Sequence, residues 1–144
     1  MTDKEAAARD WLNRNKWRLD EIKELELKLE VMRDNVNKSV SPPQEVKVQT
    51  QPRNKQAEKI AEIVDFERQI EEKRRYYTAL QEISVDTICK LRDPTKKVIL
   101  IYRYIIGEPW KEIAKKTHYT ENYCFEMHLR ALADLYQYID FTQK

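Results

Sequence analysis

The sequence predicts an all-α chain: a long, coiled-coil-like helical arm at the N-terminus and a helix-turn-helix bundle at the C-terminus. Three observations carry this expectation. The 144 residues include a single glycine, so the glycine-bearing turns that sheets depend on are almost absent. Charged residues make up 36% and the hydrophobic set 41%, in runs of Glu, Lys, Arg, Leu and Ala that favour long helices. Apolar residues also recur at steps of three and four over most of the length, the repeat of a helix face.

The first element is expected over residues 1–36. Ile22, Leu25, Leu29, Met32 and Val36 form a heptad seam, and Leu12 and Leu19, one heptad apart, extend it towards the N-terminus with Trp11 and Trp17 beside it. The opposite face carries Lys23, Glu24, Lys28 and Glu30. Such a helix is marginal alone and needs a partner surface. From 37 to 52 the pattern collapses. Ser39, Ser41, Pro42, Pro43, Thr50 and Pro52 interrupt it, and adjacent prolines forbid a continuous helix, so a mobile linker is expected.

A second long helix with its connector is expected over 53–90. Ile63, Phe66, Ile70, Tyr77 and Leu80 keep the three-four spacing with Lys73 as the polar break, while Ile60 and Val64 broaden the strip. Ser84-Val85-Asp86 reads as a break or a fresh helix start, because Ser and Asp favour caps. Periodicity leaves open whether each strip packs on the other arm helix or on a second chain.

From 91 to 144 the pattern changes to short helices with clear punctuation. Asp93 before Pro94 supplies a capping oxygen and then a residue preset for the first turn. Val98, Ile99, Ile101, Tyr102, Ile105 and Ile106 follow, and Gly107 stands where a left-handed residue ends a helix. Pro109 opens a second helix from Trp110 to about Lys116, with Ile113 and Ala114 inward. Thr117, His118 and Tyr119 form a turn. Thr120 caps a third helix reaching roughly Ile139, with Cys124, Met127, Ala131, Leu132, Leu135 and Ile139 as its buried stripe. Two helices joined by so short a turn make a helix-turn-helix, and Ala114 suits the point where they cross.

The stretch Arg103-Tyr104-Ile105, Gly107, Trp110, Glu112-Ile113-Ala114, Tyr119-Thr120, His128 and Ala131-Leu132, closing on Leu135, resembles the phage late-transcription regulators of the RinA/ArpU kind. Thr120 stands where that family usually has Ser. Their C-terminal domain in turn is similar to region 4 of sigma-70 factors, which reads a promoter element. The resemblance covers about Leu91 to Leu135. It implies a phage or prophage regulator in the bacterial cytoplasm that activates late genes by binding promoter DNA, with RNA polymerase as a further partner.

In a domain of this kind the third helix enters the major groove. Its outward positions, Glu121, Asn122, Phe125, Glu126, Leu129 and Arg130, are the expected base readers, with Tyr123 at the margin. Asn122 suits adenine, a glutamate suits the cytosine amino group, and Phe125 suits a thymine methyl. Lys96, Lys97, Lys111, Lys115, Lys116 and His118 are the expected phosphate contacts. From Asp93 onward eight Lys/Arg face seven Asp/Glu. Phosphate neutralisation dominates DNA affinity, so one such domain binds weakly, and a homodimer through the arm helices would join two weak half-sites.

Other classes are disfavoured. The formal charge of +2 is no polybasic membrane anchor, the N-terminus lacks the apolar core of a signal peptide, and no apolar run is long enough to span a bilayer. Cys89 and Cys124 are expected as reduced, mostly buried thiols. Cys124, His128 and His118 lie near one another without a second ligand pair of zinc spacing, so no metal or other cofactor is expected, and His128 is assigned a packing hydrogen bond. No nucleophile elbow, phosphate loop or paired carboxylates point to an enzyme. Tyr76, Tyr77, Trp110, Tyr119 and Tyr123 are expected in core packing rather than base stacking. Two rival functions share the layout. One is a small terminase subunit, which would form a ring of many copies; the other is a helical module that binds polymerase without touching DNA.

Overall fold

The computed structural model describes residues 1–39 and 52–142, and among them every regular element is helical. In chain order these are α1 (Asp3–Asn13), α2 (Lys16–Ser39), α3 (Pro52–Ile88), α4 (Pro94–Leu100), a π-helical segment (Ile101–Ile106), α5 (Trp110–Thr117) and α6 (Glu121–Tyr136). No helix among the described residues is long and apolar enough to cross a membrane. Most of the predicted linker, including Pro42 and Pro43, lies outside the described residues, while residues 37–39 extend α2.

Two compact units emerge, and they divide the chain differently from the expected arm and C-terminal domain. One unit is Trp17–Tyr77; the other joins Met1–Lys16 to the chain from Thr78 onward. The first predicted helix is therefore split. Thr2 and Glu5 form a reciprocal capping box that starts α1. The helix ends at Arg14, where no glycine or proline demands it. Arg14 donates to the Trp11 carbonyl at 2.8 Å, to Ser84 Oγ at 2.9 Å and to the Leu80 carbonyl at 3.3 Å, and its guanidinium lies over the Trp11 ring. Asn15 beside it is buried. The expected strip from Leu12 to Leu19 is thus cut: Trp11 and Leu12 are buried in the core of the unit that holds α6, whereas Trp17 is 55% exposed.

Ser84-Val85-Asp86 is neither a break nor a start, since α3 runs through it to Ile88. Ser84 is tolerated because its hydroxyl bonds back to the Leu80 carbonyl at 3.2 Å and accepts from Arg14.

In the Trp17–Tyr77 unit, α2 packs antiparallel on α3 of the same chain. Leu29, Ile63 and Ile70 are buried, with Leu25, Met32, Val36 and Phe66 packed around them, so the heptad seam is occupied within one chain. Arg33–Glu67 at 2.7 Å, Lys73–Glu21 at 2.8 Å and the Arg74–Glu26 pair set the register. Exposed pairs of this kind contribute little individually. Ile60 and Val64, expected to broaden the strip, are instead nearly half exposed.

The other unit holds the helix-turn-helix. Its main core gathers Ala8, Trp11 and Leu12 of α1, Ile88 and Leu91, Leu100 of α4, and Ala131, Leu132 and Leu135 of α6. Each fully buried large side chain contributes about 1.5–3 kcal/mol, so α1 is an integral wall of this domain. A second cluster, Ile99, Ile113, Cys124 and Met127, joins α4, α5 and α6.

Candidate nucleic-acid interface

Asp93 caps α4 by accepting from the backbone N–H of Thr95 at 2.9 Å, with Pro94 in the first turn. The single regular helix expected up to Ile106 becomes π-helical after Leu100, and the N–H groups of Gly107 and Glu108 both donate to the Tyr102 carbonyl, at 3.0 and 2.8 Å. Gly107 ends the segment at φ 87, as expected for a left-handed stop. The wider π turn shifts the faces. Ile106 is 57% exposed, and Val98 also faces out. The segment places Tyr104 against α6 and Arg103 over the Trp110 ring at 4.7 Å, with one Arg103 nitrogen donating to the Glu108 carbonyl at 3.3 Å.

The turn between α5 and α6 is held at both ends. Thr117 donates to the Ile113 carbonyl at 2.7 Å, and His118 takes the left-handed conformation at φ 62 that glycine more often supplies. Thr120 caps α6 by accepting from the Tyr123 N–H at 3.1 Å. The helix ends at Tyr136, not near Ile139, although Ile139 still packs on the main core.

The two halves of α6 have different surroundings. Ala131, Leu132 and Leu135 are fully buried, in the core that α1 helps to build. Towards the N-terminus only Cys124, Met127 and His128 turn inward. Of the six expected base readers, Glu121, Asn122, Phe125, Glu126 and Arg130 are exposed and Leu129 is half-buried. Helical geometry puts Asn122 and Glu126 at the centre of the outward face, Phe125 and Leu129 on one flank, and Tyr123 and Arg130 on the other.

Phe125 is 43% exposed and held from behind. Its ring meets Trp110 edge-on at 5.5 Å and His128 at 5.5 Å. His128 Nε2 bonds the Tyr104 hydroxyl at 2.5 Å, the packing hydrogen bond assigned to it, and the two rings stack at 5.4 Å. Burial, aided by the nearby Arg103 cation, lowers the His128 pKa to about 4; burial also pushes the Tyr104 hydroxyl up to about 12. Both groups are neutral near pH 7 and serve as packing.

The expected phosphate contacts are less uniform. Lys111, Lys115, Lys116 and His118 are exposed on α5 and the turn, and Lys97 is half-buried on α4. Lys96 points to Asp134 at 2.6 Å with its side chain only 18% exposed, so its charge is already matched within the domain. Lys116 pairs with Glu108 at 2.6 Å, a hydrogen bond that raises its pKa. Lys115 makes only a long contact to Glu112, at 3.6 Å.

Core packing was the wrong expectation for most of the aromatic cluster. Tyr119 and Tyr123 are each 42% exposed, with ring centroids 4.6 Å apart at the start of α6, and Tyr76 is also exposed. Only Trp110 and Tyr77 are partly covered. Cys124 is buried with its sulfur 3.4 Å from the Thr117 hydroxyl, while Cys89, expected buried, is exposed; both are free thiols. No protein-family model matches the chain, and no curated protein or solved structure matches it.

Proposed function

We propose that this chain is a DNA-binding transcription regulator of the phage late-activator type, acting in the bacterial cytoplasm and reading promoter DNA through α6. One observation carries the proposal. The N-terminal half of α6, capped by Thr120 and following a short turn after α5, presents Glu121, Asn122, Phe125 and Glu126 to the outside, with Arg130 exposed beyond them, while Ala131, Leu132 and Leu135 fix the other half in the core. That arrangement fits a recognition helix. The cations around it fit the supporting phosphate contacts: Lys97, Lys111, Lys115 and Lys116 lie on the elements that carry α6. Pairing of two chains through exposed apolar residues of the arm, such as Ile60 and Val64, would join two weak half-sites.

The test is a salt titration of the full chain on duplex DNA taken from upstream of its own gene cluster, followed by fluorescence anisotropy. With about four phosphate contacts, the logarithm of the affinity should fall against the logarithm of salt with a slope near −3.6. Absence of duplex binding at low salt refutes the proposal and favours a module that contacts only protein. Sedimentation measures the oligomer: a monomer or dimer agrees with a regulator, a ring of many copies with DNA packaging.

A further inference from the structure

The face of α6 also limits which base edges it can recognise, an inference that rests on the DNA reading above. Guanine offers two acceptors in the major groove, O6 and N7, and these are read by Arg or Lys. Among the outward residues from Glu121 to Leu129 there is no Arg or Lys; the first cation on this face is Arg130, more than two turns into the helix. The polar groups that come first are the carboxylates of Glu121 and Glu126, which only accept, and the amide of Asn122, which does both. Acceptors on the protein seek donors on the bases, and the major groove supplies just two: the amino groups of adenine N6 and cytosine N4.

The flank beside them is apolar. Phe125 projects from a backing of Trp110 and His128, which fixes its ring before any ligand arrives, and Leu129 continues the same strip one turn on. A rigid apolar surface in the major groove meets one kind of apolar group, the C5 methyl of thymine.

We infer that this face reads thymine methyls and the amino groups of adenine and cytosine, and does not depend on the acceptor edge of guanine. The two carboxylates sharpen the choice, because a base that offers them an acceptor leaves a charge unpaired beside the phosphates.

The experiment selects bound molecules from three random-sequence duplex pools with the full chain: natural bases, uracil in place of thymine, and 7-deazaguanine in place of guanine. The natural and 7-deazaguanine pools should enrich the same motif to the same extent. The uracil pool should lose about fourfold in affinity for each methyl contacted. Phe125→Ala, checked for unchanged circular dichroism, should bring the thymine-to-uracil ratio close to one.

Loss of enrichment in the 7-deazaguanine pool, or equal affinity for thymine and uracil sites, overturns this inference and leaves the DNA reading standing. Duplex binding with no enriched sequence also overturns it, since only the backbone is then contacted. Failure to bind any pool at low salt overturns both.

Discussion

Leu12→Ala tests whether the N-terminal helix belongs to the helix-turn-helix domain. Leu12 is 2% exposed and shares its core with Ile88, Leu132 and Leu135, all fully buried. Neighbours of that kind relax only partly around a missing side chain, so the truncation removes transfer free energy and leaves a cavity, costing about 3 kcal/mol within a usual range of about 2–5. For a domain of this size each kcal/mol lowers Tm by about 4–8 °C, so a drop of roughly 12–24 °C is expected. The control has the same chemistry in a different place: Leu27, on α2, is 62% exposed, and Leu27→Ala should stay within about 0.5 kcal/mol. Native-state hydrogen exchange gives the local readout. Amides around Ala131–Leu135 of α6 should exchange roughly 100-fold faster in Leu12→Ala, if they open with the whole unit. Should Leu12→Ala fall within about 1 kcal/mol of Leu27→Ala, α1 is not a wall of this core and the division into units is wrong.

Three further outcomes follow from the same geometry. Gly107→Ala should destabilise by about 1–2 kcal/mol in urea unfolding, because φ is +87 while nothing lies within 4 Å of an added Cβ, so the penalty is purely conformational; Gly107→Asn should lose less. His128 is held near 4 by burial against an ordinary 6.5, so in that window the unfolded chain binds a proton that the folded chain refuses. Stability should be full above pH 6.5 and fall by up to about 1.4 kcal/mol per unit as pH drops towards 4, a slope that His128→Gln should flatten in urea titrations. Lys111→Glu combined with Lys115→Glu should abolish binding to every duplex with unchanged helical content, whereas neutralising the pair to Gln should reduce the salt slope by about 1.8; a slope identical to the parent's would remove both residues from the interface.

Much of the fold was legible because it rests on local chemistry. The three-four spacing placed Leu29, Ile63 and Ile70 on apolar helix faces, and the structure pairs those faces with each other. Asp93-Pro94, Gly107 and Thr120 marked helix ends correctly because caps depend on the residue itself. The features that escaped depend on distant partners. Arg14 ends α1 through contacts to Leu80 and Ser84, which lie 66 and 70 residues away, so nothing near Arg14 announces the break. Periodicity also cannot tell that Trp11 and Leu12 meet α6 while Ile22 belongs to a different unit, since both segments repeat at the same step. The π segment is equally silent: Ile101–Ile106 is as compatible with an α-helix by composition. On the candidate interface, the outward positions of α6 were legible from its buried stripe, but the capture of Lys96 by Asp134 and the exposure of Tyr119 were not. Each is decided by a neighbour that periodicity does not name.

The burial of α1 bears directly on how α6 is displayed. A helix of 16 residues is about 24 Å long, and its last turns are clamped by Ala131, Leu132 and Leu135 against α1 and α3 residues. Its first turns rest on a smaller cluster of Ile99, Ile113, Cys124 and Met127, reinforced by Trp110. Strong anchoring at one end lets the other be exposed without fraying, since the ordering of the helix is supported where the apolar area is largest. On the proposed DNA reading, the two carboxylates of α6 gain discrimination between bases and sacrifice attraction to phosphate. Affinity would then come from elsewhere in the protein, and the lysines of α5 together with the proposed second copy are the sources this chain offers.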